Sequence, residues 1–111
     1  MQLSILYNWP IGENSARVSL GMANIDDVKY QYKLTILDKN DKGEDWWFTL
    51  GYVNHDEVHK LDTFAKKSSI VRIHKMSKVG GYSGSDYQFY LSKDWPPEAG
   101  GTSVTTINYQ I

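Results

Sequence analysis

Residues 54–67, "NHDEVHKLDTFAKK", decide the fold, because their period differs from everything around them. Val58, Leu61, Phe64 and Ala65 recur at helical spacing and would form one apolar stripe able to dock on a sheet. Asn54 is a good N-cap with Glu57 three residues on. Asp56 and Glu57 fall in the first turn and Lys66 and Lys67 in the last, which suits the helix dipole. The spacing predicts a helix here, with strands on both sides.

Upstream, "QLSILYNW" (2–9) alternates weakly and is closed by Pro10. "NSARVSLGMANI" (14–25) sets Val18, Leu20 and Met22 on one parity, with Gly21 suggesting a bulge or bend. "VKYQYKLTILDK" (28–39) is the clearest strand: Tyr30, Tyr32, Leu34 and Ile36 alternate with Lys29, Gln31, Lys33 and Thr35. The polar "DKNDKGED" (38–45), with Gly43, reads as a turn, answered by the strand "WWFTLGYV" (46–53). Downstream come a strand "SSIVRIHKM" (68–76), a turn "KVGGYSGSD" (78–86) and a strand "YQFYLSKDW" (87–95). Pro96, Pro97, Gly100 and Gly101 then break the chain before a last β-prone run, "TSVTTINYQI" (102–111).

Three strands, a helix and two strands, with a β extension at each end, is the connectivity of an OB-fold. That is a mainly β, five-stranded Greek-key barrel with its helix between strands three and four. The expected division of the single domain is a core barrel over 16–95, with residues 1–15 and 96–111 as extensions. A seven-stranded sandwich is the rival, but it has no natural place for an amphipathic helix at that point.

Composition narrows the function classes. At 111 residues the chain can bury one core unaided, and without cysteine it has neither disulfides nor thiolate metal sites. No run of about 18 apolar residues would span a bilayer, and "MQLSILYNWP" lacks the basic region of a secretory signal, so a soluble protein with no membrane partner is expected. The net charge of −1 argues against a non-specific duplex binder. With four Trp, eight Tyr and three Phe, stacking is the available route to a nucleic-acid partner, although aromatics are also simply good strand residues.

One stretch carries a resemblance. Ile36-Leu37-Asp38 precedes a turn, Trp46 to Tyr52 is an apolar and aromatic strand, and Ile70-Val71-Arg72-Ile73-His74-Lys75 is followed by Tyr82, Gly84 and Gln88-Phe89. Over residues 16–95 this resembles the OB domain of telomere end-binding and protection-of-telomeres proteins. Ser68-Ser69 stand where that family has Gly-Asp, and Lys75 where it has Arg. The resemblance implies a nuclear protein that binds single-stranded, G-rich DNA, with other OB-fold subunits as candidate partners and with no cofactor.

The candidate binding residues are Gln31, Lys33, Trp47, Tyr52, Arg72, His74, Lys75, Tyr82, Tyr87 and Gln88. Lysines and Arg72 would meet phosphates, the rings would stack on bases, and Gln31 and Gln88 would read base edges. On the second predicted strand the apolar parity should fill the barrel, leaving Lys29, Gln31 and Lys33 outside. The adjacent Trp46 and Trp47 cannot both point into one small barrel, so at least one is expected to be exposed or covered by another segment, and Trp47 is favoured. Gly80, Gly81 and Gly84 give the loop around Tyr82 freedom to approach a ligand.

Catalysis is not expected. "HDEVH" (55–59) spaces His55 and His59 as two metal ligands on a helix, with His74 a conceivable third, but the Glu of a zincin helix is displaced by one position. No nucleophile elbow occurs, and Ser83 lies in a predicted hairpin loop. Asp38, Asp41, Glu44 and Asp45 cluster at a turn without the spacing of a calcium loop. The alternative to nucleic-acid binding is a β-rich protein-interaction module, or a small inhibitor protein from a virus or mobile element.

Overall fold

The computed structural model describes residues 1–10, 14–76, 82–96 and 105–111. Among them the chain forms eight strands: β1 (Gln2–Pro10), β2 (Ser15–Ala23), β3 (Gln31–Lys39), β4 (Asp45–Val53), β5 (Val58–Lys66), β6 (Ile70–Met76), β7 (Tyr82–Tyr90) and β8 (Thr105–Gln110). They make two antiparallel four-stranded sheets, ordered β5-β2-β1-β8 and β4-β3-β6-β7, with no strand shared between them. The protein is mainly β as expected, but it is an open two-sheet structure. Among the described residues there is neither a closed five-stranded barrel nor the expected helix between its third and fourth strands.

The helix expected over 54–67 is strand β5. It pairs with β2 at nine consecutive positions, from Val58↔Ala23 to Lys66↔Ser15. That ladder satisfies the backbone through a non-local partner, and it overrides the weak local preference of a short amphipathic segment. The cap signature is real but serves a turn. The Asn54 amide donates to Glu57 Oε1 at 2.9 Å, as in a capping box, while the Glu57 amide returns to the Asn54 carbonyl at 3.1 Å. Asp56, between them, has φ of 65°, a left-handed conformation that cannot continue a right-handed helix.

Alternation then explains the core. Leu3, Ile5 and Tyr7 of β1, Val18, Leu20 and Met22 of β2, Tyr32, Leu34 and Ile36 of β3, and Val71 and Ile73 of β6 are all buried between the sheets. Leu61 of β5 packs against them and Ala65 is buried, whereas Val58 and Phe64, two members of the supposed helical stripe, point outward and are 74% and 61% exposed. Gly21 introduces no bulge: β2 stays in register through it on both sides, and a Cβ there would lie 2.6 Å from Ser4 Oγ. The predicted strand 87–95 is offset, since β7 begins at Tyr82 and the chain turns at Leu91–Asp94 into one turn of 3-10 helix that sends Leu91 into the core.

The terminal strands β1 and β8 are integral to this architecture. β1 lies between β2 and β8, and the chain ends meet: the Met1 ammonium donates to the Ile111 carbonyl at 2.7 Å and the Ile111 amide to the Met1 carbonyl at 2.8 Å. The same ammonium, fully buried, reaches both oxygens of Asp26 at 2.7 Å, and Tyr32 Oη–H donates to Asp26 at 2.9 Å.

Candidate functional site

The outward face of the β4-β3-β6-β7 sheet collects most of the residues singled out in the sequence. Cross-strand pairing sets them in rows across the four strands. One row is Tyr52–Lys33–His74–Asp86, the next Thr49–Thr35–Arg72–Gln88, and the third Trp47–Leu37–Ile70–Tyr90. Gln31 extends the face at its upper end, paired with Met76, and donates from Nε2 to Asn54 Oδ1 at 2.7 Å. Neither terminal strand covers this surface, because β1 and β8 belong to the other sheet.

A bulge brings the two aromatics of β4 to the same side. The register shifts between Leu34 and Thr35, opposite Gly51 and Thr49, so Leu50 is an extra residue. Without it Trp47 and Tyr52, five positions apart, would project to opposite faces. With it, Tyr52 (47% exposed) joins Trp47 on the outside.

Local chemistry on the face is built from stacking and pairing. The Arg72 guanidinium carbon lies 3.8 Å from the centroid of the Trp47 ring, reaching across Thr35. Thr35 is buried beneath, its hydroxyl donating to the Arg72 carbonyl at 3.2 Å. His74 Nδ1 is 2.7 Å from Asp86 Oδ1. The Tyr90 hydroxyl donates to Gln88 Oε1 at 3.4 Å, and Lys33 lies between Tyr52 and His74. The result is a flat surface with three outward rings (Trp47, Tyr52, Tyr90) interleaved with the cationic groups of Lys33 and Arg72 and the imidazole of His74.

Two expected members face the other way. Lys75 pairs with the buried Tyr32, and its ammonium lies 4.2 Å from the centre of the Tyr30 ring. Tyr87 pairs with the buried Ile73 and packs against the core. Both share the inward parity of their strands, so neither belongs to the outer surface. The side chain of Tyr82 and the glycines Gly80 and Gly81 lie outside the described residues, while Gly84 falls within β7 rather than in a loop. Tyr90, absent from the sequence-derived set, sits in the row of Trp47; its parity with Gln88 is the signal that could have included it.

The metal-ligand alternative loses its geometry with the helix. His55 lies in the β4–β5 turn, with Nε2 2.7 Å from the Asp26 carbonyl, while His59 lies on β5 with Nε2 2.7 Å from Glu57 Oε2. The His59 hydrogen bond, first among the causes, holds the Glu57 carboxyl below its ordinary range. Among the described residues no group of three or more His, Asp or Glu side chains is placed to hold a metal ion. No helix among them is long and apolar enough to cross a membrane.

The fold and this surface define the class of object: a two-sheet β protein with an aromatic and cationic outer face. No protein-family model, curated protein or solved structure matches the chain.

Proposed function

We propose that this protein is a non-enzymatic module that holds a single-stranded nucleic acid on the outer face of the β4-β3-β6-β7 sheet. The observation that carries the reading is the interleaving of Trp47, Tyr52 and Tyr90 with Lys33, Arg72 and His74 on one surface that no other described strand covers. Sheet faces suit unpaired strands because bases can lie on rings while the sugar–phosphate chain follows the cations. With a net charge of −1, bulk phosphate attraction is weak, so stacking at about 1–3 kcal/mol per base would supply most of the affinity. Gln31 and Gln88 offer amides for base edges. Telomeric, G-rich DNA is the narrower form of the proposal, supported by the resemblance around Ile70–Lys75 alone.

Titration of the protein with fluorescent G-rich and oligothymidine single strands, at low and at physiological salt, tests this. Expected are saturable binding, quenching of tryptophan emission and a roughly 5- to 100-fold loss of affinity in Trp47→Ala, the equivalent of one lost stacking contact. Absence of binding to every oligonucleotide at low salt refutes it.

A second reading, a protein-interaction module, is favoured by a different observation. β4 is an edge strand, and Trp46 and Phe48, on the side of it opposite Trp47, are 58% and 38% exposed. An open edge with exposed large apolar side chains suits addition of a partner's strand. Association that depends on Trp46 and Phe48 but not on Trp47 would favour this reading.

A further inference from the structure

We propose that the outward face of the other sheet, β5-β2-β1-β8, is a separate site for a short oligosaccharide, independent of the nucleic-acid reading. A groove of about 760 Å³ runs across this face. Its form follows from the register. One row of cross-strand partners is Lys60–Gly21–Ser4–Asn108, and the next is Val58–Ala23–Gln2–Gln110. In the first row the two central strands carry the small Gly21 and Ser4 and the two edges the longer Lys60 and Asn108, so there the floor is low and the rims stand high; in the second row Ala23 lies beside the longer Gln2. The rims are three strand spacings apart, roughly 14 Å, which seats a disaccharide. Gly21 keeps the floor down, since a Cβ there would press on Ser4 Oγ.

The lining chooses the ligand. Gln2, Asn108 and Gln110 are amides that donate and accept at once, as does the Ser4 hydroxyl, and sugar hydroxyls require that pairing. None of these side chains, nor that of Lys60, makes a hydrogen bond or ion pair to another described residue, so all are available to a ligand. Leu6, Ala23 and Val58 lie among them and present apolar surface to the C–H faces of a pyranose. A lipid chain would strip water from the amides without replacing its hydrogen bonds. A phosphorylated ligand would find one cation, Lys60. An extended peptide would find the backbone groups of the floor already used in the three ladders of this sheet, so strand addition is closed to it there. The Tyr109 ring at the groove packs inward against Phe89 rather than standing open as a platform, so the affinity is expected to be modest. Lys60 should favour a uronate-bearing sugar over its neutral counterpart.

Backbone-amide NMR titration of the intact protein with maltose, cellobiose, lactose, chitobiose and a glucuronate-containing disaccharide tests the site. At least one sugar should shift the amides of Ser4, Gly21, Lys60 and Asn108 saturably, leaving those of Lys33, Trp47 and Arg72 unmoved. Asn108→Ala, at an exposed position, should weaken binding about tenfold, the equivalent of one lost hydrogen bond. Ala23→Leu, which raises the floor, should abolish it, and a spectrum otherwise like the wild type would show that each variant folds. No shift with any of these sugars up to their solubility, shifts centred on the other sheet, or unchanged binding in both variants would overturn the proposal. Oligonucleotide binding on the opposite face is read by different amides, so either proposal can fail without the other.

Discussion

Replacing Asp26 should test how the chain ends are held. Its carboxylate receives the Met1 ammonium on both oxygens at 2.7 Å and the Tyr32 hydroxyl at 2.9 Å, and the ammonium is fully buried. Breaking a buried pair costs about 3–5 kcal/mol, because the remaining charge is stranded. Asp26 itself is 28% exposed and the ammonium keeps the Ile111 carbonyl, so the lower figure of about 2–3 kcal/mol is expected for Asp26→Ala. In a chain of this size that corresponds to a melting temperature about 10 °C lower.

The pH dependence supplies a second arm. Partial burial pushes the Asp26 carboxyl up, but hydrogen bonds from the ammonium and from Tyr32, with the charges of the ammonium and Lys75, outweigh it and leave the group below its ordinary range. A depressed folded-state value means that the contribution is present at neutral pH, above the unfolded-state value of an aspartate. It is lost as pH falls through the folded one. Urea denaturation of wild type and Asp26→Ala should therefore give curves well separated at pH 7 that converge under strongly acidic conditions. A difference below about 0.5 kcal/mol at pH 7, within the range of an ordinary surface substitution, would refute the reasoning. So would a gap that stays constant into acid.

Two further outcomes follow from the strand assignment and the turns. In β5, Leu61→Ala should cost about 2 kcal/mol, while Phe64→Ala, losing only partial shielding and the Arg17 guanidinium 5.3 Å from its ring, should cost about 1 kcal/mol; a helix docked through both would reverse that order in chemical denaturation. Gly43→Ala should destabilise by about 1 kcal/mol in the same assay, because φ of 75° in the β3–β4 turn suits glycine and strains alanine.

Why β3 could be read from sequence and β5 could not is a matter of period. Residues 31–36 alternate strictly, and only a strand puts Tyr32, Leu34 and Ile36 on one side. In β5, Val58, Leu61, Phe64 and Ala65 fit a helical stripe, while His59, Leu61, Thr63 and Ala65 fit an inward strand parity with two polar members. The choice was made by β2, 35 to 51 positions earlier in the chain, whose unpaired backbone the segment completes. Asn54 and Glu57 could not arbitrate, since the same side-chain bond closes a turn or caps a helix.

The site divides similarly. Lys33, Arg72 and His74 followed from alternation, and strict use of it would also have turned Lys75 inward with Ile73. Tyr52 shares a face with Trp47 through the Leu50 bulge, which no local pattern announces. The inward turn of Tyr87 depends on its pairing with Ile73, a feature of register rather than composition.

The meeting of residues 1 and 111 side by side makes the polypeptide close to a ring with one missing link. A brief glycine-containing splice could join them, and fresh ends could be opened in the Asn40–Glu44 turn without cutting any ladder. The splice would turn the buried ammonium into a neutral amide and leave Asp26 with the Tyr32 hydroxyl and the charge of Lys75. Such a rewired chain should keep its two layers while giving up the acid sensitivity that the linear one owes to its first residue.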